Sequence, residues 1–257
     1  MYYRLALVGK PVSHSMSPTI FEKLLKENGD YGSYILLETE PVELPSIKDK
    51  AKALYLNGFN VTMPYKRAII PFLDNISELS KKVMSVNTVT IRNEKLYGYS
   101  TDGMGAKNAI KKSGFDIADK RTVIYGAGAA AASIILALKD AKADITIFSR
   151  RVDAAEQLAE RLGVNFQNGF SLENADCFIN ATPLGMEQYS DFPCCSELKA
   201  MNNAGLVLDI AYGRIKTKLL REASERGLKT LSGFDMLYEQ AKVGFKIFTG
   251  NGDFDGK

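Results

Sequence analysis

Apolar positions along the chain follow two alternating rhythms. Residues 5–8 form a short apolar run that predicts a strand, and residues 18–28 carry Ile20, Leu24 and Leu25 at helical spacing. Residues 34–37 predict a second strand, 47–56 a helix and 58–62 a third strand. Apolar runs at 89–91 and 96–99 flank Arg92-Asn93-Glu94-Lys95, which predicts a hairpin. A helix at 103–113 then leads into a second series: strand 122–125, a Gly/Ala-rich loop, helix 133–139, strand 145–148, helix 154–162, and strands 177–180 and 206–209. Residues 234–248 predict a last helix, with Met236, Leu237, Val243 and Phe248 as packing positions. Strands alternating with helices imply a parallel sheet covered on both faces. Two such series predict an α/β chain of two domains with a deep cleft between them, where ligands tend to bind.

Composition narrows the function classes. The chain has 257 residues, 46% of them hydrophobic, enough for two domains with cores of their own. The formal net charge is +3 and the charges are dispersed, so neither a nucleic-acid footprint nor a polyanion partner is expected. Cys177, Cys194 and Cys195 are too few and too badly spaced for a disulfide framework. With one histidine, His14, and no C-x-x-C, no metal site is expected. No basic-then-apolar leader and no membrane-length apolar run are seen, so a reducing, cytoplasmic location is expected.

Three stretches carry chemistry. The first, GKPVSHSMSP at 9–18, leaves a strand with Ser15 and Ser17 two positions apart. In an extended loop these hydroxyls face the same way and suit a small polar ligand, or they cap the helix that follows. The second, Gly126-Ala127-Gly128-Ala129-Ala130-Ala131, lies between a strand and a helix as a G-x-G-x-x-A dinucleotide fingerprint. The strand after it ends in Phe148-Ser149-Arg150-Arg151, without the carboxylate that binds a ribose 2′-hydroxyl. Guanidinium pairs with phosphate, so the cofactor expected is NADP. The third feature is Lys66 after Asn60-Val61-Thr62-Met63-Pro64-Tyr65, with Asp102 opening a helix. Nicotinamide chemistry at a carbinol needs a proton route besides the hydride, and a lysine beside an aspartate can supply it.

Along nearly its whole length the chain resembles the shikimate dehydrogenase family. The resemblance is carried by GKPVSHSMSP, NVTMPYK, Ser85-Val86-Asn87-Thr88, YSTDGMG, GAGAAAA, NATPLGM at 180–186, DIAYGRIKTKLL at 209–220 and GFDMLYEQAKVGFKIFTG at 233–250. It implies an N-terminal α/β substrate domain, residues 1–101 completed by about 236–257, and a Rossmann-type NADP-binding domain, 102–235. It also implies NADPH-dependent reduction of 3-dehydroshikimate to shikimate, in the pathway to chorismate and the aromatic amino acids. Lys66 matches the family's catalytic lysine and Asp102 its partner. Ser15 and Ser17 match the carboxylate-binding pair, and Thr62, Asn87, Tyr212 and Gln240 the other substrate contacts. Gly126 to Ala130, Ser149, Arg150, Arg151, Thr182, Pro183, Ile210 and Gly233 fall where the family holds NADP, and Glu78 at a position sometimes near the cofactor. The chain departs from the family pattern at Ser100, usually Asn, and at Ala154, usually basic, for which Arg151 is a substitute. A quinate/shikimate dehydrogenase and a non-catalytic NADP-binding sensor remain as alternatives, and either a monomer or a homodimer is expected.

Overall fold

The computed structural model of the chain describes residues 1–213 and 216–250. Arg214 and Ile215 of the 209–220 motif, and residues 251–257 at the end of the expected substrate domain, lie outside the described residues. The chain divides into two compact units, Met1–Thr101 with the chain from Gln240 on, and Asp102–Glu239.

The first unit contains β1 (Tyr2–Gly9), α1 (Ser17–Glu27), β2 (Tyr31–Glu38), α2 (Ile47–Ala53), β3 (Gly58–Val61), β4 (Asn75–Ile76), α3 (Glu78–Val83), β5 (Thr88–Arg92) and β6 (Lys95–Tyr99). Its sheet runs β2-β1-β3-β5-β6-β4. β1 pairs in parallel with β2 and β3, but β5 is antiparallel to both β3 and β6, so this sheet is mixed rather than wholly parallel. The hairpin accounts for the β5–β6 pairing. Asn93 and Glu94, both at positive φ, reverse the chain in two residues, and Arg92 pairs directly with Lys95. The expected four-residue turn therefore contains one rung of the ladder. Residues of β1 alternate between faces. Ala6 and Val8 join Leu44, Ile47, Ala51, Phe59, Val61 and Ile69 in one core cluster. On the other side Tyr3 meets Phe245 edge-on, and Phe21 of α1 stacks on Tyr34 and tilts against Phe248. The helix expected at 47–56 stops at Ala53, because Tyr55 takes a positive φ.

The second unit contains α4 (Asp102–Lys112), β7 (Arg121–Tyr125), α5 (Ala129–Asp140), β8 (Asp144–Phe148), α6 (Val152–Leu162), β9 (Asn165–Phe166), β10 (Cys177–Asn180), β11 (Leu206–Asp209), α7 (Lys218–Glu225) and β12 (Lys229–Ser232). The last helix, α8 (Gly233–Thr249), starts here and gives its residues from Gln240 on to the first unit. All pairings in the second sheet are parallel, in the order β12-β11-β10-β7-β8-β9. Counted from β7 this is the 3-2-1-4-5-6 order of a dinucleotide-binding fold, whose strand order reverses between β7 and β10. One face packs Val123, Phe178, Phe192, Leu198, Val207 and Leu220 into a core that includes an aromatic cluster around Tyr125. On α4, Gly103 lies so close to α5 that a Cβ there would stand 2.1 Å from the Ser133 carbonyl oxygen. Gly103→Ala should therefore destabilise the fold by about 1–3 kcal/mol through overpacking. A urea unfolding curve with an unchanged midpoint would show that the two helices can part freely.

Candidate active site

The first unit gathers its polar residues at the C-terminal ends of β1 and β3 and around β5. β1 leads into the serine loop. There the backbone at Met16 is helical rather than extended, and Ser17 is already the first residue of α1. Ser15 and Ser17 still come together, with Ser15 Oγ donating to Ser17 Oγ at 3.1 Å and accepting the Ser17 N–H at 3.2 Å. Neither serine is the N-cap, which is Met16. The pair arises from a turn at a helix start, not from strand-like alternation.

After β3, a turn closed by Tyr65 N–H to the Thr62 carbonyl (2.9 Å) brings the chain to Lys66. The Lys66 carbonyl accepts the Val86 N–H at 2.8 Å, which fixes the lysine backbone against the Ser85-Val86-Asn87-Thr88 turn. The Tyr65 hydroxyl is buried and donates to the Thr39 carbonyl at 2.7 Å. Thr62 and Lys66 are half-buried.

Asn87, Thr101 and Gln240 form a buried network. Gln240 Oε1 accepts from Asn87 Nδ2 and from Thr101 Oγ1, both at 2.9 Å, and Asn87 Oδ1 accepts the Thr101 N–H at 2.8 Å. Asn60 extends it, donating through Nδ2 to the Asn87 carbonyl and to Thr88 Oγ1, while its Oδ1 accepts from Tyr34 at 2.9 Å. With Gln240 Oε1 taking two donors, its Nε2 is the end left to donate to a ligand.

The second unit brings the glycine loop and two further loops to the C-terminal ends of β7, β10 and β11. Gly126 has φ +134, and a Cβ there would lie 2.9 Å from the Ala181 carbonyl oxygen. Gly128 is the N-cap of α5, and a Cβ on it would meet nothing within 4 Å. Open space over the loop, facing the unpaired N–H groups of a helix start, fits the phosphates of a dinucleotide. At Gly233 a Cβ would stand 2.2 Å from the Ile210 carbonyl oxygen, so this glycine lets α8 start against the end of β11.

Beyond β8, Ser149 is buried and accepts the Arg151 N–H at 3.3 Å, while the Arg150 and Arg151 side chains are exposed. Among the described residues neither guanidinium makes an ion pair. Asp102 is buried as the first residue of α4. Burial and then the Asp102 charge push the Tyr212 hydroxyl above the usual phenol range, so Tyr212 is an O–H donor at neutral pH.

Two family models match the chain. One, described as the shikimate dehydrogenase substrate binding domain, matches residues 7–89, and one described as shikimate / quinate 5-dehydrogenase matches residues 107–214. The shikimate dehydrogenase (NADP(+)) of Methanocaldococcus jannaschii is 36% identical over 257 residues, covering 96% of this chain and 91% of that protein. The chain belongs to the shikimate dehydrogenase family. A crystal structure of a family member in complex with NADP+ superposes with a TM-score of 0.90 at 36% identity, over 97% of this chain and 90% of that one. The Thermus thermophilus member, solved with NADP(H) and shikimate, gives 0.88 at 31% identity, over 96% and 94%. These likenesses span both units, and the Rossmann-type reading of the second holds.

Within this shikimate dehydrogenase family fold, the first unit holds Ser15, Ser17, Thr62, Lys66, Asn87 and Gln240, and the second holds Asp102, Tyr212 and the glycine loop. Glu78 belongs to the first unit. It is exposed on the first turn of α3 and paired with Lys81 at 2.5 Å. Asn60, Thr101 and Tyr34 were not singled out from the sequence as site residues, yet they orient Asn87 and Gln240. An asparagine in a strand as apolar as residues 58–62 is the signal that points to Asn60, since buried amides need partners.

The end of β11 holds an ionisable group in the interior. Burial pushes the Asp209 carboxyl up to about 6, against hydrogen bonds from Thr217, Asn180 and Ala211 that favour the charged form. A folded-state value above the unfolded one means that native protein binds this proton more tightly. Asp209 therefore favours the folded state more as pH falls from 7 towards 4. The stability of Asp209→Asn relative to wild type should be highest above pH 6 and should shrink on acidification, as read by denaturant unfolding at several pH values. A constant difference across that window would show that Asp209 does not titrate there.

Proposed function

We propose that the chain catalyses the reversible, NADPH-dependent reduction of 3-dehydroshikimate to shikimate, a step towards chorismate and the aromatic amino acids. The observation that carries this reading is the 36% identity to a shikimate dehydrogenase (NADP(+)) over 96% of the chain. The domains are read as residues 1–101 with about 236–257 for substrate, and 102–235 for cofactor.

NADP, when bound, carries the hydride to or from the reacting ring carbon. Lys66 supplies the proton to the carbonyl oxygen during reduction and takes it back from the hydroxyl during oxidation. Asp102 accepts a hydrogen bond from a substrate hydroxyl and fixes the ring for transfer. Ser15 and Ser17 donate to the substrate carboxylate, and Thr62, Asn87, Tyr212 and Gln240 bind its remaining oxygens. Gln240 does so through Nε2, since Oε1 is engaged by Asn87 and Thr101. Gly126, Ala127, Gly128, Ala129 and Ala130 hold the pyrophosphate. Ser149, Arg150 and Arg151 hold the 2′-phosphate, and Thr182, Pro183, Ile210 and Gly233 line the remainder of the cofactor site. Glu78 belongs at its margin.

Among the described residues no helix is long and apolar enough to cross a membrane. The protein is read as cytoplasmic, monomeric or homodimeric.

A broader specificity that includes quinate is the second reading, favoured by the name of the second matching family model. Quinate adds a hydroxyl to the ring, which the substrate residues must either accommodate or reject. Rates with shikimate and with quinate, each with NADP+ at several concentrations, separate the two. A kcat/KM for shikimate at least about tenfold above quinate, the size of one mismatched polar contact, supports the first. Equal values support the second.

A further inference from the structure

The loops that follow β10 and β11 are joined by one buried carboxylate to which the proposed chemistry gives no part. Asp209, at the end of β11, has no exposed surface. Its Oδ1 accepts from Asn180 Nδ2 at 2.8 Å and from the Ala211 N–H at 3.1 Å, and its Oδ2 accepts from Thr217 Oγ1 at 2.7 Å. Asn180 carries the connection into the neighbouring loop. Its Nδ2 also donates to the Leu184 carbonyl at 3.1 Å, and its Oδ1 accepts the Thr182 N–H at 3.2 Å and the Thr182 hydroxyl at 2.6 Å. The Thr182 hydroxyl in turn accepts the Leu184 N–H at 3.3 Å. Asp209 Oδ1 thus links the loop bearing Thr182 and Pro183 to the one bearing Ile210 and Tyr212, beside the backbone hydrogen bond from the Ile210 N–H to the Asn180 carbonyl at 3.0 Å.

An apolar residue would satisfy strand packing here without removing a charge from water. Oδ2 and Thr217 serve a separate purpose. Thr217 is the N-cap of α7, accepting the Leu220 N–H at 3.3 Å, so that branch anchors a helix rather than a loop near the glycine turn.

Resting on the NADP reading above, we propose that Asp209 is a positioning residue for the cofactor: through Oδ1 it sets the loops after β10 and β11 in one frame, so that Thr182, Pro183 and Ile210 meet the dinucleotide together. Asp209 does not touch the reacting atoms; it acts through Asn180 and Ala211.

The test is NADP+ binding to the full-length protein by calorimetry, alongside thermal melts and steady-state kinetics, for three variants. Asp209→Ala removes both branches and should weaken NADP+ binding about tenfold or more, the loss expected when a buried donor is left without its acceptor. KM for NADP+ should rise in step, whereas simple loss of folded protein would lower kcat and leave KM alone. Asp209→Asn keeps an oxygen for Asn180 and Ala211 and should restore affinity to within about threefold, a difference below one hydrogen bond. Thr217→Val breaks only the helix-cap branch. It should lower the melting temperature and leave NADP+ affinity within about twofold, since the Oδ1 link is intact.

Wild-type affinity in folded Asp209→Ala would overturn the proposal, as would an equal loss in Thr217→Val. If Asp209→Ala does not fold, Asn180→Ala breaks the same link from the other side, and unchanged NADP+ affinity there overturns it. Wild-type protein that fails to bind NADP+ would overturn the cofactor reading itself, an outcome distinct from all of these.

Discussion

Lys66→Ala should lower kcat by about 10²–10⁴-fold, the range that general acid–base groups contribute, with a smaller change in KM for shikimate. The expectation follows from what the site offers. Hydride transfer alone leaves an alkoxide on the ring oxygen, and a proton must reach it in the same step. The lysine is half-buried, and its backbone is held by the Val86 N–H through its carbonyl, so the stem of the side chain starts from a fixed point beside Asn87. Removing the ammonium takes away the donor but leaves the Asn87–Thr101–Gln240 network, and hence most ground-state binding, in place. Steady-state kinetics in the oxidation direction checks this. A variant with kcat intact and KM much raised would mean that Lys66 binds substrate only, and the proton would then have to come from Asp102, water or another group.

The second large effect is expected at the cofactor. Arg150→Ala combined with Arg151→Ala should weaken NADP+ by about 1.5–3 kcal/mol for each charge-assisted hydrogen bond lost, and should leave NAD+ nearly untouched. Both guanidiniums are exposed just beyond β8, and Arg151 is the N-cap of α6. No carboxylate stands ready there for a bare ribose, because β8 ends at Phe148 and Ser149, Arg150 and Arg151 follow it. Titrations of the double variant with each cofactor decide the matter. Equal loss for NADP+ and NAD+ would assign the arginines to the fold rather than to the 2′-phosphate.

Parts of this arrangement were legible in the chain because local rules sufficed. β10 and β11 coincide with the stretches 177–180 and 206–209, since the middle strands of a parallel sheet are buried on both faces and read as unbroken apolar runs, Cys177 to Ile179 and Leu206 to Leu208, each closed by one polar residue, Asn180 or Asp209. The glycine loop was legible because the tight turn at Gly126, with positive φ and the Ala181 carbonyl close by, demands a residue without a side chain, and Gly128 follows two positions on at the helix start. β12 was not expected, because Lys229–Ser232 is an edge strand whose one buried apolar residue is Leu231. α7 was also missed. Its apolar residues Leu219, Leu220 and Ala223 fill barely two turns, too few for periodicity to register.

The polar network was hidden for a different reason. Asn87 and Gln240 are 153 positions apart and meet only because α8 carries Gln240 back to β5. In the sequence Asp209 is only the last residue of an expected strand and the first of a motif. Its meaning lies in Asn180, 29 positions earlier on the adjacent strand, and strand adjacency is a property of the folded sheet. The serine pair shows the converse case. Two hydroxyls side by side were expected from an extended loop, and they are side by side, but through a turn at Met16 and a helix that starts at Ser17.

The most direct measurement is the appearance of reduced nicotinamide, followed by its absorbance, when purified protein is mixed with shikimate and NADP+. The account predicts shikimate-dependent reduction of the cofactor, faster with NADP+ than with NAD+ and nearly abolished in Lys66→Ala. Tight NADP+ binding with no shikimate-dependent reduction would contradict it and identify a cofactor-binding protein without this activity.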